Sequence, residues 1–463
     1  MRDLVLLAFV AAVVAMGFRR PFLWVLLYIY VDIVAPQKVG YGIITSISLS
    51  MLCFIAAFAG YILLDNKKGS RFTLRQGLIV TLLLWCGYTT LTADFPEPAA
   101  EKWDWVWKSL VFAAFLPLTL RTKLRLEAAA LVMVLSAASI IISAGIKTVL
   151  SGGGYGTLVS LVQDNSGLYE GSTLSTVAIA MIPLTIWVAR YGSIFTERKP
   201  AMLFAAALVF AALLVPIGTQ TRTGLICIAV LGVLLMRTAR YRFVYAGLAA
   251  LGLLVALPFL PASYTQRMTT ITEYQADESA STRVAVWRWT LDYVQENPLG
   301  GGFDAFLGNS FTYDMRQTVE VGNTETVVYQ EVTDEGRAYH SAFFEVLGEQ
   351  GYPGFAIWAV LQGLGLLHME RIRRRYRDSE DPAEKRWRAL ATALQNGQGV
   401  YLVGALFVGV GYQPFMFMLL GLQIAFYSLM KRDWTDKTVQ TRPWLQDRMH
   451  ENAGRGTTTG AAT

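Results

Sequence analysis

The sequence predicts an all-α polytopic membrane protein, with about 12 to 13 transmembrane helices and one large extracytoplasmic loop that contains amphipathic helices. Three observations support this fold class. Of the 463 residues, 54% are hydrophobic and only 16% are charged, which is too apolar for a protein surface in water. The mean hydropathy is +0.40. Apolar stretches of about twenty residues recur along the chain, and lipid forces such stretches into helices because it offers the backbone no hydrogen-bond partners.

The predicted spans follow one another from the first residues. The stretch from Leu4 to Phe18 is followed by Arg19 and Arg20 instead of a small-residue cleavage site, so we interpret it as a membrane span and not as a signal peptide. The predicted spans are residues 3–18, 21–37, 42–64, 75–92, 104–120, 126–149, 172–190, 200–217, 222–237, 242–260, 342–367, 389–410 and 412–430.

The short loops alternate between basic and nearly uncharged, which predicts their sides because cytoplasmic loops concentrate Lys and Arg. The alternation places the N-terminus outside, the C-terminus in the cytoplasm and residues 261–341 outside. Since the basic residues are spread between spans, the net charge of +6 indicates topology and not nucleic-acid binding. The basic loops contain Arg19 and Arg20; Lys67, Lys68, Arg71 and Arg75; Arg121, Lys123 and Arg125; Arg190, Arg198 and Lys199; Arg237, Arg240 and Arg242; and the run from Arg371 to Arg388.

These features predict four regions. N-terminal transmembrane helices occupy residues 1–260, the large periplasmic loop 261–341, and C-terminal transmembrane helices 342–432. Residues 433–463 are polar and end in Gly, Thr and Ala, which is typical of a disordered cytoplasmic tail.

The large loop contains one clear helical pattern. Val284, Trp287, Leu291 and Val294 recur at helical spacing, with Ser281 as the expected N-cap. We expect an amphipathic helix on the membrane surface, ended by the proline and glycines at residues 298–302. Those glycines lack the strand and lysine of a nucleotide site, so a helix stop and tight turn is the favoured interpretation.

His340 is the first candidate for chemistry, because it lies where the large loop re-enters the membrane. Its ring titrates near neutrality and is suited to take a proton from a sugar hydroxyl. The alternative is an interfacial histidine that only hydrogen-bonds the loop.

Three arginines on the same outer face are candidates for binding a diphosphate. Arg222 stands at the outer mouth of a span, where an ionisable group is costly, although it alternatively only anchors the helix. Arg283 follows the expected N-cap closely, where free backbone amides favour an anion. Arg288 diverges from Arg283 by roughly 140° around the helix. For Arg283 and Arg288 the alternative is a solvated surface charge.

No metal ion and no cofactor are predicted, because the acidic residues are dispersed in different segments and the cysteines lie in apolar runs as packing residues. Arginine stabilises phosphate oxygens bidentately without a metal. The dispersed acids are Asp104, Asp164, Glu170, Asp304 and Glu345, and the cysteines are Cys53, Cys86 and Cys227.

Several motifs resemble the O-antigen ligase and polymerase superfamily, and the opening residues 1–4 with 19–22 look like those of exosortase-associated O-glycosylation ligases. The remaining marks are Thr221-Arg222-Thr223; Ser281-Thr282-Arg283 with Trp287 and Glu296-Asn297-Pro298-Leu299-Gly300; and His340 with Glu349-Gln350-Gly351-Tyr352-Pro353-Gly354. One departure is Ser341, where the family commonly has Asn after the histidine. Another is the span number, which in the family is often twelve with both ends inside.

The resemblance implies metal-independent, inverting transfer of a glycan from an undecaprenyl-diphosphate carrier to an acceptor hydroxyl on a lipid, protein or glycan, at the periplasmic face of a bacterial inner membrane. By match, Arg222 and Arg283 bind the diphosphate and His340 assists the acceptor; Arg288, Tyr339 and Trp287 complete the expected substrate-binding set. A ligase is favoured by the N-terminal resemblance, and a repeat-unit polymerase shares the chemistry. A lipid-linked glycan transporter is a third hypothesis, which repeated halves and interrupted spans would support.

Overall fold

The computed structural model describes residues 2–40, 42–150, 167–237, 241–243, 247, 278–321 and 324–441. The helices are α1 (Arg2–Gly17), α2 (Phe22–Val34), α3 (Pro36–Val39), α4 (Leu49–Ala59), α5 (Leu74–Leu91), α6 (Pro96–Thr119), α7 (Lys123–Leu150), α8 (Gly171–Tyr191), α9 (Arg198–Gly218), α10 (Arg222–Met236), α11 (Glu278–Glu296), α12 (Ala342–Arg375), α13 (Pro382–Gly404) and α14 (Pro414–Thr441). Short 3₁₀ turns cover Ile43–Ser46, Gly167–Tyr169 and Ala305–Gly308, and a π turn covers Gly60–Leu64.

The predicted all-α membrane bundle is confirmed. Among the described residues, four helical stretches are long and apolar enough to cross a membrane: Lys123–Leu150, Gly171–Tyr191, Arg198–Gly218 and Pro414–Thr435. Shorter apolar helices occupy Asp3–Gly17, Phe22–Val34, Leu49–Leu64 and Arg222–Met236. Most of the predicted span at 242–260 lies outside the described residues, as do Arg240 and Asp164, so the total of 12 to 13 spans stays a prediction.

Helix α8 forms the centre of the bundle. It packs against α7, α9, α10 and α13, and all of its residues from 173 to 185 are buried. A second group of contacts joins α6 to α5 and α14, and α12 to α5, α13 and α14. Because the central helix is apolar on every side, it is enclosed by other helices.

Buried amide side chains connect the last three helices. Gln398 donates to the side-chain oxygen of Gln362 at 2.9 Å, and Gln423 donates to the side-chain oxygen of Gln398 at 3.0 Å. Hydrogen bonds of this kind hold helices together where lipid and apolar side chains supply no directional contact.

Helix α12 differs from the continuous span predicted at 342–367. Gly351 has φ 61° and ψ −168°, so the helix is broken there into a short N-terminal part and a long C-terminal part. Pro353 lies just after this break. The entry of the chain into the bundle is therefore bent, because a left-handed residue cannot continue a right-handed helix.

The large loop contains the expected helix with different bounds. Helix α11 begins at Glu278, so Ser281 lies in its first turn and is not the N-cap that we predicted. The loop also contains a hairpin that the sequence pattern did not reveal, with strands β1 (Ser310–Val321) and β2 (Thr324–Glu335) paired antiparallel, Ser310 opposite Glu335. Residues 261–277 lie outside the described residues.

Loops predicted on the cytoplasmic side contact one another. Asp65 accepts hydrogen bonds from Arg121 and Arg125 at 2.9 and 2.6 Å, and Arg432 donates to the Gly69 carbonyl oxygen at 3.1 Å. Helix α14 continues to Thr441, which corrects the prediction of a disordered tail from residue 433. Residues 442–463 lie outside the described residues.

Candidate active site

A cavity of about 920 Å³ opens at one end of the bundle. It is lined by the C-terminal part of α2, the start of α6 and the start of α8, together with α11, residues 338–340 and residues 407–414. The helices that form it are distant in sequence, so the cavity exists only once the bundle is assembled. Its volume is within the range of sites that bind small molecules.

His340 lines this cavity directly before α12. Its backbone is left-handed, with φ 47°. Two hydrogen bonds hold the segment on either side: Trp287 Nε1 donates to the Tyr339 carbonyl oxygen at 2.9 Å, and the Ala342 amide donates to the Ala405 carbonyl oxygen at 2.8 Å. Ser341, the departure from the family pattern, is the N-cap residue of α12 but makes no side-chain capping bond. A non-glycine residue in this conformation is uncommon and is held by its surroundings.

The pKa of His340 is lowered from its ordinary value. Partial burial of the ring is the largest cause, followed by the positive charge of Arg283; Glu170 acts in the opposite direction, and Arg337 lowers the pKa further. The neutral imidazole therefore predominates at neutral pH. A neutral imidazole has a free nitrogen lone pair and is able to accept a proton.

Arg283 lies in the second turn of α11, because the helix begins earlier than predicted, so the argument from a helix N-terminus does not apply to it. Its side chain is half-buried, lines the cavity and interacts electrostatically with His340. Arg288 is exposed and is absent from the described lining of the cavity. The structure thus separates the two arginines, in agreement with their divergence around the helix.

Arg222 is the first residue of α10 and is not in the described lining of the cavity. A chain of hydroxyl groups holds this helix start against α8: Thr221 Oγ1 donates to Ser175 Oγ at 2.9 Å, and Ser175 Oγ lies 2.8 Å from Thr219 Oγ1. At the neighbouring start of α8, Glu170 caps the helix by accepting from the Thr173 amide at 2.6 Å, and both residues line the cavity.

The two aromatic residues of the expected substrate-binding set have different positions. Tyr339 is buried and lines the cavity. Trp287 is absent from the described lining and instead stacks on Phe344, with ring centroids 5.0 Å apart and an interplanar angle of 6°. Through its hydrogen bond to the Tyr339 backbone, Trp287 supports the residue next to His340.

A charge cluster in the cavity wall was not predicted. The ammonium group of Lys102 contacts Glu345 at 2.8 Å, Glu349 at 2.7 Å and Asp304 at 3.4 Å. Glu345 also accepts from the Gly411 amide at 2.8 Å, and Glu349 from the Asp304 amide at 3.0 Å. We expected Asp304 and Glu345 to be dispersed, but they converge on a lysine. The sequence contained one indication of this cluster: Glu345 and Glu349 are four residues apart and therefore share a helix face.

Comparison with known sequence families gave two matches. Residues 1–193 match a family of unknown function, DUF5935, and residues 206–359 match the O-Antigen ligase family. The second match includes Arg222, Arg283 and His340, and it confirms the relationship to the O-antigen ligase and polymerase superfamily. No match was found among the curated proteins. The exosortase-associated subtype stays a prediction.

Proposed function

Because the chain carries an O-antigen ligase region at residues 206–359, we propose that it transfers a glycan from an undecaprenyl-diphosphate carrier to an acceptor hydroxyl. The observation that supports this proposal best is the shared position of Arg283 and His340 in one cavity, where the pKa of the histidine is lowered. A cation for the leaving diphosphate and a base for the acceptor are the two groups that such a transfer needs.

In the proposed reaction His340 accepts the proton of the acceptor hydroxyl. The hydroxyl oxygen then attacks the anomeric carbon of the donor sugar, and the bond between that carbon and the diphosphate oxygen breaks. The electron pair leaves with the diphosphate, whose negative charge Arg283 stabilises. A single displacement of this kind inverts the anomeric configuration. Arginine supplies the charge stabilisation, so the proposal requires no metal ion.

Arg222 is proposed to bind the same diphosphate from the side of α10. Its helix start is fixed against the start of α8, where Ser172 and Thr173 line the cavity. An undecaprenyl diphosphate bound next to the starts of α8 and α10 would contact Arg283 of α11 and Arg222 of α10. We also propose that this end of the bundle faces the periplasm at a bacterial inner membrane; the alternation of loop charge supports its position outside the cytoplasm.

Alanine substitutions test the proposed roles. In a strain that lacks the chromosomal gene, Arg222→Ala, Arg283→Ala and His340→Ala are each expected to abolish glycan attachment while the protein remains in the membrane at normal amounts. Arg190→Ala is the matched control, because Arg190 lies at the opposite end of α8 from the cavity, and it is expected to preserve attachment. Normal product from all three site variants would remove the proposed roles.

The gene-deletion strain also separates a ligase, which we favour, from a polymerase. Loss of a ligase leaves full-length lipid-linked glycan in the membrane, whereas loss of a polymerase leaves single repeat units on the carrier. Lipid extraction followed by sizing of the released glycan distinguishes the two results.

A further inference from the structure

The Lys102 cluster, defined as Lys102, Asp304, Glu345 and Glu349, forms part of the cavity wall beyond the groups used in the proposed reaction. Three carboxylates surround one ammonium group, so the formal charges do not cancel. Their exposure decreases from Asp304, whose side chain is 24% exposed, to Glu345 at 8% and Glu349 at 0%. Asp304 is therefore the carboxylate of the cluster most accessible from the cavity.

Two buried tyrosines next to this cluster have hydroxyl groups without a hydrogen-bond partner among the described residues. They are Tyr339, 2% exposed, and Tyr412, fully buried, and both line the cavity. Both phenol groups interact electrostatically with Glu345 and Glu349. Buried hydroxyl groups in native proteins are nearly always hydrogen-bonded, so these two point to a bound polar molecule.

The backbone geometry fixes Asp304 in place. Its φ is +58°, and its amide is bonded to Glu349 while its carboxylate approaches Lys102. The preceding glycines are tied to α12, because the amides of Gly301 and Gly302 donate to the carbonyl oxygens of Gly348 and Glu349 at 3.1 and 2.9 Å. A carboxylate held in this way is preorganised to accept a hydrogen bond from a ligand.

The chemistry of this wall selects an uncharged ligand rich in hydroxyl groups. An anion is disfavoured by the carboxylates, and Lys102 already occupies the position where they converge. Carboxylate and phenol oxygens bind sugar hydroxyls, and the aromatic rings of Trp105 and Phe306 in the same lining offer flat apolar surfaces to a sugar ring.

We propose that Asp304 and Tyr412 bind the hydroxyl groups of an uncharged sugar ring of the glycan substrate, and so help to determine which glycan is transferred. This proposal rests on the proposed function, because it assumes that a glycan enters the cavity. The ring belongs either to the donor glycan or to a glycan acceptor, and the same side chains would recognise both.

Binding measurements with full-length protein in lipid nanodiscs test the proposal. The probes are undecaprenyl diphosphate without sugar, the lipid-linked glycan extracted from the gene-deletion strain, and the free glycan released from it by mild acid. The variants are Asp304→Asn and Tyr412→Phe. The control is Asp104→Asn, which removes the same charge from an exposed position on α6, where Asp104 pairs only with Lys108 among the described residues.

We expect Asp304→Asn to weaken binding of the lipid-linked glycan about tenfold, and Tyr412→Phe severalfold, with unchanged binding of the sugar-free lipid. If the variants weaken binding of the free glycan but not of the lipid-linked glycan, the result also supports the proposal and indicates that the bound sugar ring belongs to the acceptor. The proposal is overturned if the variants weaken binding of the lipid-linked glycan and of the sugar-free lipid equally. It is also overturned if neither variant changes the binding of any of the three probes.

The Tyr412→Phe variant separates recognition from folding. Because the Tyr412 hydroxyl has no partner among the described residues, its removal is expected to leave the thermal midpoint unchanged or raised, so weaker glycan binding in that variant is not explained by unfolding. The experiment is also independent of the proposed reaction: failure of His340→Ala to reduce transfer would contradict the catalytic assignment without affecting these affinities.

Discussion

The environment of His340 combines partial burial with a neighbouring guanidinium. Both favour the neutral ring, and Glu170 opposes them only in part. The same arginine therefore has two effects in the proposed reaction, because it stabilises the departing diphosphate and keeps the base unprotonated. Of the residues predicted for the site, Arg283, Tyr339 and His340 share the cavity, whereas Arg222 begins a helix whose start is hydrogen-bonded to α8.

The lowered pKa of His340 predicts the acid side of the pH profile. Transfer requires the unprotonated ring, so the rate is expected to stay constant at neutral pH and to fall only as the pH drops below the ordinary histidine value of about 6.5. Replacing Arg337, a cation that lowers this pKa, with Gln is expected to move the fall to higher pH. Rates measured against pH with purified protein provide the check, and an unshifted profile in Arg337→Gln would contradict the electrostatic account.

The Lys102 cluster was beyond sequence-based prediction. Lys102 is separated from Asp304, Glu345 and Glu349 by 202, 243 and 247 residues. Hydropathy and helical periodicity report on neighbours within a few turns, so they place Glu345 and Glu349 on one helix face but do not indicate that Lys102 and Asp304 meet them. His340 and the arginines were accessible to prediction because their position at the outer end of apolar segments is a local property.

The glycines that follow α11 do more than end the helix, because they also pack against α12. Gly300, with φ 84°, packs against the break in α12, and the Tyr352 amide donates to the Pro298 carbonyl oxygen at 3.0 Å. The two motifs at residues 296–300 and 349–354 thus contact each other. Their contact is possible because the facing residues carry no side chain, and it fixes Asp304 and the start of α12 relative to one another.

This contact predicts a large cost for a methyl group at Gly351. In Gly351→Ala the new Cβ would meet the backbone of Leu299 and Pro298, and alanine would be strained at a φ of 61°. We expect destabilisation of at least about 2 kcal/mol and loss of transfer. Gly363→Ala is the matched control in the same helix, because its Cβ would meet nothing within 4 Å, and a helical alanine is favoured by up to about 1 kcal/mol. Thermal unfolding in detergent measures both; equal stability of the two variants would contradict the docking role.

The two ends of the bundle differ in the contacts that they contain. The loops predicted in the cytoplasm are joined by ion pairs, including Arg386 with Glu127 and Arg237 with Glu370, whereas the cavity lies among the N-terminal parts of α6, α8 and α12. This arrangement agrees with the alternation of loop charge, since loops assigned to one side contact one another.

Cysteine labelling tests the sidedness. Cys53, Cys86 and Cys227 are free and buried, so they are expected to react little. In spheroplasts, Thr312→Cys is expected to react with a membrane-impermeant maleimide, whereas Glu380→Cys, whose native side chain is 93% exposed, is expected to react only after permeabilisation. The opposite pattern would invert the topology and place the cavity in the cytoplasm.

The amino-acid sequence was sufficient to predict a membrane helix bundle and the positions of most of its helices, because hydropathy and loop charge are local and the bilayer acts on each segment separately. Three features became visible only in the folded chain: α12 breaks at Gly351, the two glycine-containing motifs meet, and Lys102 contacts three carboxylates in the wall of the cavity that His340 also lines. Those features depend on close contacts between segments hundreds of residues apart, and such contacts are fixed by packing of the whole bundle.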